Sequence, residues 1–364
     1  MIKEFTQQLS RGDNLTIEQM TSVMNEILGG TQNDQDVAEF LKNLTQKGES
    51  DDELLAMLNK MEEYSLHISP NCRGKIIDVC GTGGDKLKTF NISTAASFVI
   101  AGAGGNVAKH GNRSISGVSG SADIFEYFGF DLNSEPNKVN ETIEKFGIGF
   151  MFAQKFHPAM KNVANARKAI GSRTAFNLLG PLTNPAMIKN QLIGVFSEDY
   201  QERIVKILKR KNAETVMTVR SADGMDELST TSKNQICMLK NNTITKMTLD
   251  PQEVGLQKGN ISDIQISSKE DAIESFVNVL DDSANKTKIE ITALNAAGGL
   301  IVSNIVDNFT DAVELSLDTI HSGKAFDKLE TFVNNCGDIE KLCLLYTSDA
   351  ADDTPCVDLG GRRI

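Results

Sequence analysis

Glycines, one aspartate and a run of hydroxyl and amide side chains are packed into GTGGDKLKTFNIST, residues 81–94. Gly81, Gly83 and Gly84 permit close backbone approach to a ligand, and Asp85 follows at the turn. Thr89, Asn91, Ser93 and Thr94 then offer donors to phosphate oxygens. The apolar run through Ile76, Ile77 and Val79 precedes the stretch and AASFVIAGAG follows it. Strand, glycine loop and helix N-terminus together favour an anion. Neither familiar phosphate loop fits. No Lys-Ser/Thr pair directly follows a glycine, Lys88-Thr89 coming only after Leu87, and the sixth position of a dinucleotide fingerprint is Lys86. Alone, the stretch reads equally well as a glycine turn with an ordinary N-cap. Asp85 would repel phosphate and better suits hydroxyls or a metal-bound water.

AKHGNRSISGVSGSAD, residues 108–123, sets Lys109, His110 and Arg113 among Gly111, Gly117 and Gly120, with Ser114, Ser116, Ser119 and Ser121. A cationic, hydroxyl-rich loop of this kind suits a multiply charged phosphate ligand better than it suits a merely solvated surface. In SADGMDELST, Asp226 and Glu227 are adjacent carboxylates that in a loop can share a hard cation. Isolated, such a pair is more often a solvated turn, and only the company of two phosphate-type loops raises it. HPAMKNVANARKAIGSRTAFNLLGPLTNP carries Arg167 and Arg173, either able to bind a carboxylate, and a tight corner at Gly180-Pro181. Without context these arginines read as surface charges and His157 as structural.

Elements must position these groups, and the chain of 364 residues is long enough for two domains. With 40% apolar and 24% charged residues it has the composition of a soluble globular protein. A net charge of −12 argues against general affinity for nucleic acid or anionic membranes. The six scattered cysteines lack CxxC spacing, and the four histidines lack an HExxH pattern. This fits a reducing cytoplasm rather than a disulfide framework or a zinc site. No signal-peptide core or membrane-length apolar run is present, so a soluble cytoplasmic protein is expected.

Three amphipathic helices are expected in NLTIEQMTSVMNEILGG, DQDVAEFLKNLTQKG and DDELLAMLNKMEEYS, with Thr16 and Gln19 forming a capping box. They suggest a small bundle over residues 1–68. From about Lys75, strands at KIIDV, IGFMF, LIGVF, TVMTV and QICML alternate with helical patterns. The fold class is therefore α/β: a small N-terminal α-helical bundle domain, and a larger domain over 69–342 with a mostly parallel central sheet flanked by helices. Helices from about 158–186 are expected to return to the bundle, leaving an interdomain cleft for ligand.

In order and spacing, GTGGDKLKTFNIST, VAKHGNRSISGVSGSAD, the segment GFMFAQKFHPAMKNVANARKAIGSRTAFNLLGPLTNP and DGMDELS resemble the successive motifs of the anthranilate phosphoribosyltransferase family. The likeness extends from the N-terminal helices to HSGKAFDKLETF. It implies attack of the anthranilate amino nitrogen on C1 of phosphoribosyl pyrophosphate (PRPP), with loss of pyrophosphate, in tryptophan biosynthesis. It also implies Mg2+ and a homodimer formed through the helical parts. Matched motif by motif, Gly81, Gly84, Asp85, Thr89, Asn91, Ile92, Ser93 and Thr94 would hold the pyrophosphate end of PRPP. Lys109, His110, Gly111, Asn112, Arg113, Ser114, Ser116, Gly117 and Ser121 would complete the donor site. Ser93, Asp226 and Glu227 would bind the metal. Gly81, Asn112, Arg167, His110, His157, Gly180 and Pro181 would form the anthranilate site, Arg167 pairing with its carboxylate. No residue is implied as a general acid or base. One departure is Lys86-Leu87-Lys88, where the family commonly has a glycine after the aspartate.

The last stretch, 343–364, breaks character. Cys343–Asp353 back-translates as the end of a transposon-based sequencing adapter, and Val357–Ile364 as the primer on its far side. It is expected to be a non-native tail, which would put the natural terminus near Leu342 or leave it missing. Two rivals share parts of the pattern. A pyrimidine-nucleoside phosphorylase would use inorganic phosphate, and the Asp226-Glu227 pair and KHGNR speak against it. A non-catalytic nucleic-acid-binding relative is disfavoured by the net charge.

Overall fold

A computed structural model of the chain describes residues 1–83, 87–114 and 117–347. Gly84, Asp85, Lys86 and Ser116, and residues 348–364 of the suspected tail, lie outside the described residues. The N-terminal bundle has four helices, α1 (Ile2–Ser10), α2 (Ile17–Leu28), α3 (Asp34–Lys47) and α4 (Asp51–Glu63). The capping box is present: Gln19 N donates to Thr16 Oγ1 at 3.2 Å and Thr16 N to Gln19 Oε1 at 2.9 Å. The sequence reading lacked α1, although Ile2, Phe5, Thr6 and Leu9 bury one helical face at regular spacing. A second capping box opens α4, where Ser50 N donates to Glu53 Oε2 at 2.7 Å. The Glu53 carboxylate is fully buried, accepting also from Leu15 N and Lys47 Nζ, each at 2.8 Å.

The larger part is built on seven strands: β1 (Ile76–Gly81), β2 (Asn106–Gly111), β3 (Ile148–Phe152), β4 (Asn190–Gly194), β5 (Thr215–Ser221), β6 (Asn234–Lys240) and β7 (Thr243–Leu249). Their order is β3-β2-β1-β4-β5-β6-β7; the first five run parallel, and β6 and β7 extend the sheet antiparallel. β2 and β7 were not among the expected strands. β2 was disguised by its charges, and β7 is a largely exposed edge strand with no apolar alternation to betray it.

Strand periodicity divides the interior into two cores. Leu192, Met217, Val219 and Ile236 face one layer, while Ile193, Val195, Val216, Cys237 and Leu239 face the other. The first layer is covered by α5 (Ile92–Gly102), then α6 (Ser121–Tyr127), α7 (Pro136–Phe146) and helices from the C-terminal part. Over the second lie the bundle and, from the crossover between β3 and β4, α9 (Lys161–Ile170) and α10 (Ala175–Leu179), while α8 (Ala153–Phe156), which opens that crossover, buries Phe156 in the first. α11 (Glu198–Arg210) shares the second layer. Asn162 Nδ2 on α9 donates to Leu28 O at 2.7 Å, and Asn165 Nδ2 to Asp34 Oδ2 at 3.0 Å. The C-terminal helices are α12 (Lys269–Leu280), α13 (Lys286–Val302), α14 (Phe309–His321), α15 (Lys324–Cys336) and α16 (Ile339–Thr347). α16 thus carries helix into a stretch read as having no period, with Leu342 buried and Leu344 exposed. No helix among the described residues is long and apolar enough to cross a membrane.

Candidate active site

The strand order reverses between β1 and β4, so their C-terminal ends open a crevice at the topological switch point. β1 and β4 end side by side, Gly81 opposite Gly194. The loop 222–233 lies across them. A Cβ on Gly194 would stand 1.6 Å from the Asp226 carbonyl oxygen, so the backbone approach there requires glycine, whereas one on Gly81, 2.6 Å from Asp226 Oδ2, would have to displace the carboxylate. Gly83 N donates to Asp226 Oδ2 at 2.7 Å, Thr82 N to Gly194 O at 2.9 Å and Phe196 N to Thr82 Oγ1 at 3.2 Å. The glycine loop and the carboxylate pair are thereby one structure, with Asp226 only 7% exposed and Glu227 half-buried.

Loop 222–233 is braced from within. Asp223 accepts from Ser229 Oγ at 2.8 Å and from the hydroxyls of Ser221 and Thr231. From α13, Asn295 brackets Leu228, accepting from its N at 2.9 Å and donating to its O at 2.7 Å.

Lys109 corrects the reading of residues 108–123 as a loop. It lies on β2, 2% exposed, with Nζ donating to Val79 O at 2.7 Å and to Ser93 Oγ at 3.4 Å. Burial pulls its ammonium down from the ordinary lysine value, against the fields of Asp78 and Glu227. Ser93, Lys109, Asp226 and Glu227 therefore gather around the same strand ends. Asp78, absent from the sequence-based site, is fully buried on β1. Its carboxylate accepts from Asn184 Nδ2 at 2.9 Å and His110 N at 3.3 Å, and Asn184 Nδ2 also donates to Ala108 O at 2.8 Å. Burial pushes the Asp78 carboxyl up to about 6 from 3.8. A charged residue inside the apolar run KIIDV was the available signal.

The other expected donor-site residues are less uniform. Ser93 is in the first turn of α5, where the helix N-terminus favours an anion. Ile92 and Thr94 of that turn are buried, Ile92 N donating to Phe90 O at 2.8 Å. Asn91 Nδ2 donates to Ser119 O at 3.3 Å, while its buried Oδ1 has no partner among the described residues. Thr89 is half-buried and bridges to Gln265. Lys88 is exposed, with φ at 54°. Arg113 is engaged on α6, its guanidinium meeting Glu126 in two hydrogen bonds of 2.5 and 2.6 Å and Asp123 at 3.4 Å. Asn112 O accepts from Ser121 Oγ at 3.4 Å, Gly117 N donates to Ser114 Oγ at 2.7 Å, and Gly111 closes β2.

The expected acceptor residues come largely from the crossover. Arg167 on α9 is half-buried, its Nη2 3.5 Å from Asn177 Oδ1 and its guanidinium 5.7 Å from the Phe176 ring centre. Burial alone draws its pKa down, and no carboxylate among the described residues pairs with it. Gly180 and Pro181 lie in a 3-10 turn fastened to the sheet, Pro181 O accepting from Gln191 Nε2 at 2.5 Å and from Cys80 Sγ at 3.8 Å. The rings of His110 and His157 are 5.0 Å apart and buried. His110 Nε2 and both ring nitrogens of His157 lack hydrogen-bond partners among the described residues. Burial holds His110 well below the usual histidine value and takes His157 down to about 4, so both are neutral at pH 7. No group of three or more His, Cys, Asp or Glu among the described residues is placed to hold a metal ion.

Residues 3–65 match the glycosyl transferase family, helical bundle domain, and residues 73–326 the glycosyl transferase family, a/b domain. The chain is 62% identical over 342 residues to the anthranilate phosphoribosyltransferase of Nitrosopumilus maritimus (strain SCM1), covering 94% of this chain and 98% of that protein. Its fold is similar to the crystal structure of anthranilate phosphoribosyltransferase from Thermus thermophilus, with a TM-score of 0.84 and 34% identity over 90% of this chain and 98% of that one. The Saccharomyces cerevisiae anthranilate phosphoribosyltransferase, in complex with PRPP and Mg, shares the fold at a TM-score of 0.83 and 24% identity, over 92% of this chain and 97% of that one.

Proposed function

Because the chain belongs to the anthranilate phosphoribosyltransferase family, we infer that it transfers the phosphoribosyl group of PRPP to the anthranilate amino nitrogen. The C1–O bond to pyrophosphate breaks with its electron pair leaving on oxygen, a C1–N bond forms, the nitrogen gives up one proton to the departing pyrophosphate or to water, and phosphoribosylanthranilate and pyrophosphate leave. The observation that carries this reading is the Asp226 carboxylate seated against the glycine loop, 2.7 Å from Gly83 N, at the ends of β1 and β4.

Pyrophosphate is a polyanion, so catalysis rests on stabilising the charge that develops as it departs. We assign that work to the glycine loop, the first turn of α5 and the Lys109 ammonium. Ser93, Asp226 and Glu227 form a hard, all-oxygen donor set suited to Mg2+ once phosphate oxygens join it. Bound there, the ion would neutralise leaving-group charge. Asp78 counters the buried Lys109 charge and, through Asn184, fixes the crossover to β2. Arg167, paired with no carboxylate among the described residues, is assigned the anthranilate carboxylate. The anilinic nitrogen is already nucleophilic, and the neutral His110 and His157, assigned to the lining of the acceptor's route or pocket, need remove no proton before attack. Positioning then supplies much of the rate.

We take residues 1–68, with the 158–186 segment packed on them, as the helical unit, and 69–342 as the donor-binding unit. A homodimer through the helical parts would show a mass about twice 39.6 kDa by light scattering. The described cysteines are free thiols, in keeping with a cytoplasmic enzyme.

The test follows anthranilate fluorescence with PRPP and Mg2+. The signal should fall only when all components are present, and Asp226→Asn should abolish the magnesium-dependent rate. An undiminished rate in that variant would remove the metal assignment.

A further inference from the structure

Arg173, which the sequence alone leaves as a possible carboxylate ligand or a surface charge, has other company. It sits in the link 171–174 between α9 and α10. Its guanidinium lies 3.9 Å from the Phe196 ring centre, and its Nη2 donates to Gly83 O at 3.0 Å. Phe196 follows β4 and is tied to the glycine loop, its N donating to Thr82 Oγ1 at 3.2 Å. Behind it stands Tyr200, ring centres 5.4 Å apart. Gly83 is consequently gripped on both sides: its N–H by Asp226 and its carbonyl by Arg173.

We propose that Arg173 is a positioning residue that couples the acceptor-bearing crossover to the donor loop by clasping Gly83 against Phe196. The contact is specific to arginine. A planar guanidinium can stack on an aromatic face and donate at its edge simultaneously, whereas an ammonium is a point charge that cannot do both as well. Gly83 has φ at 67°, in the left-handed region that glycine adopts readily among other conformations, so a grip on both its polar groups holds this residue in one of them. Arg173 and Arg167 flank the C-terminal end of the same helix. The inference rests on the assignment of PRPP to the glycine loop.

The test measures steady-state constants and melting midpoints for Arg173→Lys, Phe196→Leu, the double variant and Phe196→Tyr. Arg173→Lys and Phe196→Leu should each raise KM for PRPP about tenfold, the scale of losing one stacked, charge-assisted contact. KM for anthranilate and kcat should stay within about twofold. The double variant should be no worse than either single one, because both remove the same clasp. Phe196→Tyr, which keeps the aromatic face, should restore the wild-type constant. A rise confined to KM for anthranilate would make Arg173 a carboxylate ligand and overturn the proposal. Additive losses, or unchanged constants in an active enzyme, would also overturn it. If Arg173→Lys fails to fold, the Phe196→Leu and Phe196→Tyr pair decides alone. Absence of turnover in the wild type would instead strike the functional reading.

Discussion

The tightest approach in the site is open to a direct perturbation, Gly194→Ala. An alanine Cβ would lie 1.6 Å from the Asp226 carbonyl oxygen, whereas carbon and oxygen in ordinary contact stay about 3.3 Å apart. The loop carrying Asp226 and Glu227 must therefore retreat by roughly 1.7 Å, and its bracing by Asp223 and Asn295 opposes any rearrangement that keeps the carboxylates in place. A misplacement of about 1 Å at a catalytic constellation can cost about a hundredfold in rate, near 2.7 kcal/mol of barrier. Gly194→Ala should accordingly lower kcat/KM by about a hundredfold or more and shift the magnesium titration to higher concentration. Gly81→Ala presses instead on the flexible end of the Asp226 side chain, at 2.6 Å, and should lose less. The assay is the anthranilate fluorescence progress curve over a magnesium series, with melting midpoints recorded in parallel, since overpacking alone costs about 1–3 kcal/mol. A Gly194→Ala enzyme with wild-type kcat/KM and magnesium dependence would refute the claim that Asp226 must lie across this strand end.

Two further outcomes follow from buried carboxylates. The Asp78 carboxyl, pushed up from 3.8 to about 6 when folded, contributes stability that is complete below its unfolded value and lost as pH rises through about 6. Relative to Asp78→Asn, which cannot titrate, the wild type should gain roughly 1 kcal/mol between pH 7 and pH 5 in urea unfolding; a pH-independent difference would contradict the assigned shift. Glu53→Ala strands the Lys47 ammonium, whose side chain is 5% exposed, and leaves Leu15 N and Ser50 N without their acceptor. It should destabilise the fold by about 3–5 kcal/mol, and a loss under about 1 kcal/mol would show that water replaces the carboxylate.

What the sequence made legible was local. Thr16 and Gln19 announce a helix start because their capping bonds span a single turn. GTGGD and the Asp226-Glu227 pair stand out because their residue types are rare in ordinary elements. What stayed hidden depends on long-range partners. Lys109 looks like a loop charge until the Val79 carbonyl and the Asp78 carboxylate are brought beside it, which makes a buried strand lysine tenable. Arg173 resembles Arg167 in type and neighbourhood, yet its contacts, Gly83 and Phe196, come from two other parts of the sheet. Gly194 has no motif around it; only the backbone of loop 222–233 shows why a side chain is forbidden there.

Connectivity explains why the residues proposed for donor and acceptor come from the same end of the sheet. β3 lies at the sheet edge and β4 on the far side of β1, so the chain has to pass back over β2 and β1 before it can resume. That crossover begins at the C-terminal end of β3, the end at which the glycine loop opens, and it carries Arg167, Arg173 and Pro181. It is anchored to the sheet at two levels, through Asn184 to Asp78 and Ala108, and through Pro181 to Cys80 and Gln191. Its outer helix, α9, is anchored to the bundle, where Asn162 meets Leu28 and Asn165 meets Asp34. The bundle therefore does more than bury apolar faces: it is the outer support of the helix that presents Arg167.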